Sequence, residues 1–548
     1  MTVCNRGAGR GKSALLATSC LALIGMSPAA AWAQAAPAAG TGDVEAVVVT
    51  GSRVVTNGVN APTPVTVVST QQLQLAAPRN MVDGILQLPQ FRASVSVANQ
   101  ANGTTLSNGS DYLNLRGLGT SRTLVLLDGR RMTPNQNTSA VDAAQIPEAL
   151  VKRVDIVTGG ASAAYGSDAV AGVANFVLDN NFKGLKINAQ SGISTYGDNL
   201  NYKFDVTAGG SFAGDRLHVV ASVLHYKSEG VPTYDRPWTV DGKVSITNPA
   251  VTATNPASPS NPKLIVVTNG NSTVAANGGL ITNTILKGIT FTPTGQPRAF
   301  QYGDLVSSTQ MRGSDPGTFN PKDLLVLQAQ QERNQFYIHS TYDVTNNLSV
   351  YAQVLGAQNK IYYHSIPTFE LSSTAYTIFA DNAYLPASLR QTMAANNVGS
   401  FTFGRLSDDI AIPAVDGKTE TGMVTLGFDG KVGNSSWSYH GYGQLGRSRA
   451  TYYTLDDPIS DNLYRAADAV FAPNGSIVCR STLTNPGNGC VPMNLFGYGA
   501  PSAASKAYVL GTAFQGFKYQ QDVLEFSASG DLFQLPAADW SARNRPGC

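Results

Sequence analysis

SNGSDYLNLRGLGTSRTLVLLDGRRM at residues 107–132 and VKRVDIVTGGASAAYGSDAVAGVANFVLDNNF at 151–182 are the stretches whose reading decides the fold. In the first, TLVLLDGRRM is an apolar run fit for a buried strand, and Asp128-Gly129 supplies a hairpin turn. LNLRGLG reads as a short strand ending in a glycine turn. IPEALVKRVDIVTGG (146–160) reads as a short helix passing into a strand. ASAAYGSDAVAGVANFVL closes the segment with small residues that permit close backbone packing. Upstream, PTPVTVVST (62–70) is a strand entering a turn. QQLQLAAP and NMVDGILQLP carry Leu73, Leu75, Met81, Ile85 and Leu86 near helical spacing, punctuated by Pro78 and Pro89. Residues 61–182 therefore read as one compact α/β segment.

From about residue 183 the pattern changes to long alternating strands. LNYKFDVTAGG puts Leu200, Tyr202, Phe204, Val206 and Ala208 on one face and Asn201, Lys203, Asp205 and Thr207 on the other. NLSVYAQVLGAQ groups Leu348, Val350, Ala352, Val354 and Gly356; SSWSYHGYGQLG groups Trp437, Tyr439, Gly441, Gly443 and Leu445 opposite His440 and Gln444. DVLEFSASGDL repeats the form with Leu524, Phe526 and Ala528. Stretches of about 9–11 residues with a period of two suit tilted strands in a lipid bilayer, apolar side out and polar side in. A soluble β-sandwich is the rival, but its strands usually run about 5–6 residues. Thr345-Asn346-Asn347 and Asp429-Gly430-Lys431-Val432-Gly433 read as short turns, expected on the periplasmic side. Polar stretches at 229–333, 361–417 and 447–518 read as long extracellular loops.

The N-terminus has the form of a secretory signal. Arg6, Arg10 and Lys12 precede an apolar core at 14–26, and Ala31 and Ala33 place cleavage before Gln34. A lipoprotein at Cys20 fits poorly, because that residue sits inside the apolar core. Residues 34–43 look like a flexible linker, and VEAVVVTGSR (44–53) is a short valine-rich strand with no hairpin partner nearby.

Together these pieces resemble, in order and spacing, the TonB-dependent outer-membrane receptors. NMVDGILQLPQF, LNLRGLG, TLVLLDGRRM and VDIVTGGASAAYGSDAVAGVANFV match the plug domain. The resemblance implies a membrane all-β fold: an N-terminal α/β plug (61–182) followed by an antiparallel transmembrane β-barrel (183–535), placed in the cell outer membrane. It implies that Val44, Glu45, Ala46, Val47, Val48, Val49 and Thr50 form the TonB box, gripped by TonB of the inner-membrane proton-driven complex. An exposed strand with unpaired N–H and C=O groups suits pairing and pulling. The plug positions singled out are Arg116, Gly117, Asp128, Gly129, Gly159, Gly160, Tyr165 and Gly166. Plug arginines of such receptors pair with acidic residues of the barrel wall, so Arg116 is expected to hold the plug and Arg116→Ala to loosen it, against the alternative of a surface arginine tied to solvent. Thr158-Gly159-Gly160 departs from the commoner Arg-Gly-Pro and, with the Asn/Thr-rich loops, leans toward a carbohydrate or other organic nutrient. Siderophore, cobalamin and oligosaccharide all remain open as the imported ligand.

The rest excludes more than it adds. Net charge +2 with 14% charged residues gives no basic surplus for nucleic acid. GAGRGKS (7–13) lacks the first glycine of a P-loop, because Arg6 stands there. The five histidines show no metal-ligand spacing, and no catalytic arrangement appears. No cofactor, metal or enzymatic activity is expected. Cys479 and Cys490 bracket RSTLTNPGNG in an exported chain, so a disulfide is expected there, against the alternative of two free thiols. About ten strands are recognisable after the plug, whereas a plugged transporter barrel has about 22. Residues 536–548 (PAADWSARNRPGC) leave the alternating pattern. The expectation is the N-terminal part of such a barrel, truncated or frameshifted near Pro536. A passive porin or adhesin is the alternative class. A transport-linked signalling receptor is another, disfavoured because only about ten residues separate Ala33 from Val44.

Overall fold

The computed structural model describes residues 65–69, 80–96, 109–136, 138–159, 161–231, 236–237, 241–314 and 326–531. The signal segment, the proposed TonB box at 44–50, the helix expected at 71–78, Gly160 and the tail at 536–548 lie outside them. All described residues belong to one compact unit, Val48–Cys548.

The first layer is a small mixed sheet. Its strands are β1 (Val65–Ser69), β2 (Thr123–Leu127), β3 (Arg130–Arg131), β4 (Val151–Val157) and β5 (Gly172–Leu178), in the order β1-β4-β5-β2-β3. The apolar run TLVLL becomes β2, buried at all five positions and paired in parallel with β5. Two short helices pack beside it, α1 (Met81–Leu86) and α2 (Ser162–Tyr165). Asn80 caps α1, its side chain accepting from the Val82 amide at 3.0 Å. Gly172 lies at φ +134°, and a Cβ there would stand 2.1 Å from the Val157 carbonyl oxygen, so only glycine lets β5 approach β4.

The second layer is an eight-stranded antiparallel meander. Its strands are β6 (Gly184–Gly192), β7 (Asn201–Phe212), β8 (Leu217–Ser228), β9 (Gln330–Thr345), β10 (Leu348–His364), β11 (Ala414–Lys431), β12 (Ser438–Pro458) and β13 (Leu510–Ser529). Each pairs with its neighbour in chain order. Three of the links are tight (213–216, 346–347, 432–437) and lie at one end of the sheet. The links at 193–200, 229–329, 365–413 and 459–509 lie at the other. The alternation read from the sequence holds. On β9, Gln331, Arg333, Gln335, Tyr337 and His339 are buried against the first layer, while Phe336 and Ile338 face outward and are exposed. Seven of the eight strands are longer than the expected 9–11 residues, reaching 21 in β12, and the long loops are correspondingly shorter.

The plug and the sheet share one core. Phe91, Leu113, Leu115, Phe176 and Ile156 of the first layer pack in the same cluster as Val220, Tyr337, Leu355 and Met423 of the second. Gly446 on β12 marks a tight approach: a Cβ there would lie 1.9 Å from Thr133 Oγ1 of the plug. No helix among the described residues is long and apolar enough to cross a membrane.

Candidate functional site

The contact between plug and wall is built first from the β2–β3 hairpin. Asp128 (φ +48°) and Gly129 (φ +77°) make the turn, and the Gly129 amide donates to Asn175 Oδ1 at 2.8 Å. The Asp128 carboxylate accepts from the Leu178 amide (2.8 Å) and from Asn180 Nδ2 (2.9 Å). Burial pushes its carboxyl above the ordinary 3.8, and Arg130 pulls it the other way from 3.6 Å. Arg130 then reaches the wall. Its guanidinium donates to Gln353 Oε1 at 2.6 Å and to the Tyr351 hydroxyl at 3.2 Å, and lies 5.1 Å from the Tyr351 ring centroid. Tyr337 closes the loop from β9 by donating to Asn180 Oδ1 at 2.8 Å. Gln444 of β12 donates to the Arg131 carbonyl at 2.8 Å.

A second contact lies beneath the start of α1. Asp142 accepts from the amides of Asp111 (2.9 Å) and Ala144 (3.0 Å), and Asn80 Nδ2 donates to Asp111 Oδ2 at 2.6 Å. Arg333 of β9 sets its guanidinium 3.7 Å from Asp111 Oδ2 and donates to the Ala144 carbonyl at 3.4 Å. Burial raises the Asp142 carboxyl, and Arg333 is the largest opposing influence. Beside it, Lys203 of β7 pairs with Glu148 at 2.6 Å, and the other Glu148 oxygen accepts from the Met81 amide at 3.1 Å. Gln331 and Asn359 both donate to the Gly109 carbonyl, at 2.8 and 2.7 Å. The wall thus grips the two ends of the plug by different means, a neutral and aromatic cradle around Arg130 and cationic side chains on plug acids.

This corrects the expectation for Arg116. Its side chain is exposed and forms no ion pair with a described residue. LNLRGLG is not a strand either: Leu115–Gly117 is a 3-10 turn with Arg116 at φ +56° and Gly117 at φ +71°. Two successive left-handed residues cannot continue an extended strand. Leu115, not Arg116, enters the core. The polarity of the ion pairs is also reversed, since the cations Lys203 and Arg333 stand on the wall and the acids on the plug. Lys203 was legible as a polar-face residue of β7, but Arg333 fell within a stretch read as loop.

The other named residues sit as follows. Tyr165 ends α2 and its carbonyl accepts from Arg131, which also pairs with Asp168 at 2.6 Å. Gly166 follows at φ +84°, and the Gly159 carbonyl accepts from the Ala161 amide at 2.6 Å. So Asp128, Gly129, Tyr165 and Gly166 gather around the hairpin, while Arg116 and Gly117 stand apart. Cys479 and Cys490 are disulfide-bonded with Cα atoms 6.1 Å apart.

The disulfide belongs to a feature the sequence reading missed. The long links do not lie separately over the sheet end. Ile281, Phe291, Tyr376, Leu389, Phe403, Leu463, Leu495 and Val509, drawn from three links, form a second core. At its centre Arg405 is fully buried and uses every donor. It makes two 2.7 Å bonds to Asp409, one of 3.0 Å to Ser407 Oγ, and two of 3.0 Å to the carbonyls of Leu495 and Gly497. Arg480, beside the disulfide, pairs with Asp381 (2.6 Å) and Asp468 (2.9 Å) and holds the Asp381 carboxyl below its ordinary value. Apolar residues scattered singly through Asn- and Thr-rich sequence gave no periodic signal for this core.

The fold therefore defines a plug held against the polar inner face of an antiparallel sheet whose outer face is apolar. The family model described as TonB-dependent Receptor Plug Domain matches residues 58–173. Over those residues the chain is similar to the plug domain of the TonB-dependent receptors. Similar solved structures include the ferric enterobactin receptor PfeA of Pseudomonas aeruginosa (12% identity, TM-score 0.38, covering 76% of this chain and 44% of that one). The siderophore receptor PiuA of Acinetobacter baumannii is similar at 12% identity and TM-score 0.35, with 85% and 55% covered. BauA of Acinetobacter baumannii, a ferric preacinetobactin receptor, is similar at 11% and 0.37, with 87% and 56% covered. The chain spans about half the length of these structures.

Proposed function

We propose that the chain works as part of an outer-membrane active transporter that imports a scarce ligand when TonB pulls on residues 44–50. The observation that carries this is the position of β1. Among the described residues it is the edge strand of the plug sheet, paired with β4 over five residues, and it is the first described element downstream of 44–50. An edge strand held on one side is peeled pair by pair when its leading end is drawn away. The core strands β2 and β5 and the wall contacts of Arg130 resist longer. Force applied at the N-terminal end therefore opens the plug on the β1–β4 side first. No bond chemistry is required, because the work comes from the proton gradient through the partner complex.

The end of the sheet that carries the long links and the disulfide-bearing second core faces outside in this reading, and takes the ligand. A siderophore, cobalamin or an oligosaccharide fits the class. The test deletes residues 44–50 in the receptor that carries this chain and measures ligand binding and energised uptake separately. Binding retained with uptake abolished is expected. Uptake that persists after the deletion, or after collapse of the proton gradient, would point to a passive porin instead.

A further inference from the structure

One carboxyl group of the plug takes no part in the grip of the wall. Asp155 lies on β4 between Val154 and Ile156, which enter the core shared with the wall. Its own side chain therefore points to the opposite face of the plug sheet, where it is completely buried. Oδ1 accepts from Arg153 Nε at 3.0 Å, and Oδ2 has no hydrogen-bond partner. An anion held this way is costly, whereas a neutral carboxyl costs far less. Across the sheet at this level stand Val67 on β1, Asp155 on β4, Asn175 on β5, Leu126 on β2 and Arg131 on β3. On the same face β1 also carries Ser69 and β5 carries Val173 and Val177, so neither neighbouring strand brings a charge. Asn175 is a neutral amide whose Oδ1 accepts from the Gly129 amide. Arg153, partly open to solvent, is the one charge beside the carboxyl. Tyr165 packs farther along with Val157, and Arg131 stands three strands away, about 14 Å, paired with Asp168.

We propose that Asp155 is a proton-operated latch on β1, a device that rests on the reading above in which β1 peels first. Directly opposite side chains on neighbouring strands touch, so Val67 closes the β1 side of the carboxyl. The strand itself is lightly held: of Thr66–Ser69 only Val68 is buried. With β1 in place, the carboxyl keeps its proton to a higher pH than it does once the strand has left. When β1 leaves β4, water reaches Oδ2 and the proton passes to solvent. The anion left behind must lose its water or regain a proton before β1 can return. Opening is therefore favoured as pH rises and reclosing as pH falls. The electrostatics agree in sign. Burial raises the Asp155 carboxyl above its ordinary 3.8, with Arg153 and Asn175 pulling the other way. The closed form thus binds the extra proton, and the pairing it supports is lost as pH rises through the raised value.

The test is hydrogen exchange of the full chain in a neutral detergent between pH 4 and pH 7, with rates corrected for the intrinsic effect of pH. The peptide covering Val65–Ser69 is compared with those covering β2 and β5. In the parent chain the protection of β1 should fall by at least about threefold across this range. Asp155→Asn, a neutral side chain of the same shape, should make β1 protection independent of pH and at pH 7 at least as high as in the parent. Val67→Asn leaves the carboxyl in place but sets an amide donor opposite it, at a position that is 45% exposed. It should flatten the same profile, so the result does not depend on one variant folding. A purely structural role for Asp155 would shift protection equally at every pH. A pH profile that survives in Asp155→Asn overturns the latch. A β1 that exchanges faster than β2 and β5 but shows no pH dependence in the parent refutes the latch alone. A β1 that exchanges no faster than β2 and β5 at any pH refutes the peeling order and the latch together.

Discussion

Replacing Arg333 with Met removes the only cation that faces the Asp111–Asp142 pair from β9 while keeping the length and packing of the side chain. The guanidinium is 10% exposed and stands 3.7 Å from Asp111 Oδ2. At an effective dielectric near 20 that separation corresponds to about 4 kcal/mol of gross attraction. Part of this offsets the cost of burying the guanidinium itself, so the net loss is about 3 kcal/mol, within the range for breaking a buried pair. Asp111 keeps its bond from Asn80, and Asp142 keeps two amide donors, which is why the loss should not be larger. The full chain in detergent at pH 7 is assayed by hydrogen exchange of peptides covering Asp111, Ala143 and Ala144, whose amides lie in this network. Protection should fall by about a hundredfold. Arg333→Lys, which keeps the charge, should lose much less, and Asp111→Asn in the Arg333→Met background should recover part of the loss. Less than about a threefold change in Arg333→Met, or equal losses in the Met and Lys variants, would refute the electrostatic account.

Further outcomes follow from the same contacts. Asp128, Asp142 and Asp155 all have folded-state values above 3.8, so between 3.8 and those raised values the folded plug binds more protons than the unfolded chain. Their contribution to stability therefore rises as pH falls through that window and is lost as pH rises; plug protection greater at pH 5 than at pH 7 is expected, and the reverse order contradicts it. Arg405→Met leaves Asp409 buried without its partner and should cost the second core about 3–5 kcal/mol, seen as early proteolysis within 365–413 while plug peptides stay protected. Cys479→Ser should lower the stability of the same region by about 3 kcal/mol, and dithiothreitol should reproduce the effect in the parent chain but not in the variant. Gly446→Ala forces a methyl group against Thr133 and should unseat the plug by about 1–3 kcal/mol, measured as faster exchange in β3 and 132–135.

Local pattern settled the strands. A period of two in LNYKFDVTAGG and SSWSYHGYGQLG fixes which residues face the plug and which face outward, because a one-residue slip would expose the whole apolar set. The run TLVLL and the Asp128-Gly129 turn fixed the plug hairpin in the same way, from residues next to each other in the chain. The tertiary structure decided what was joined across long separations. Arg333 meets Asp111, Lys203 meets Glu148, and Arg405 meets Leu495 and Gly497 through links that no local period records. A charged side chain on an alternating strand announces only the face it occupies. Whether it is a latch or a buried strut depends on which carboxylate or carbonyl the packed neighbours bring within reach, and Arg116 shows that a motif arginine brought to no such neighbour is left in solvent.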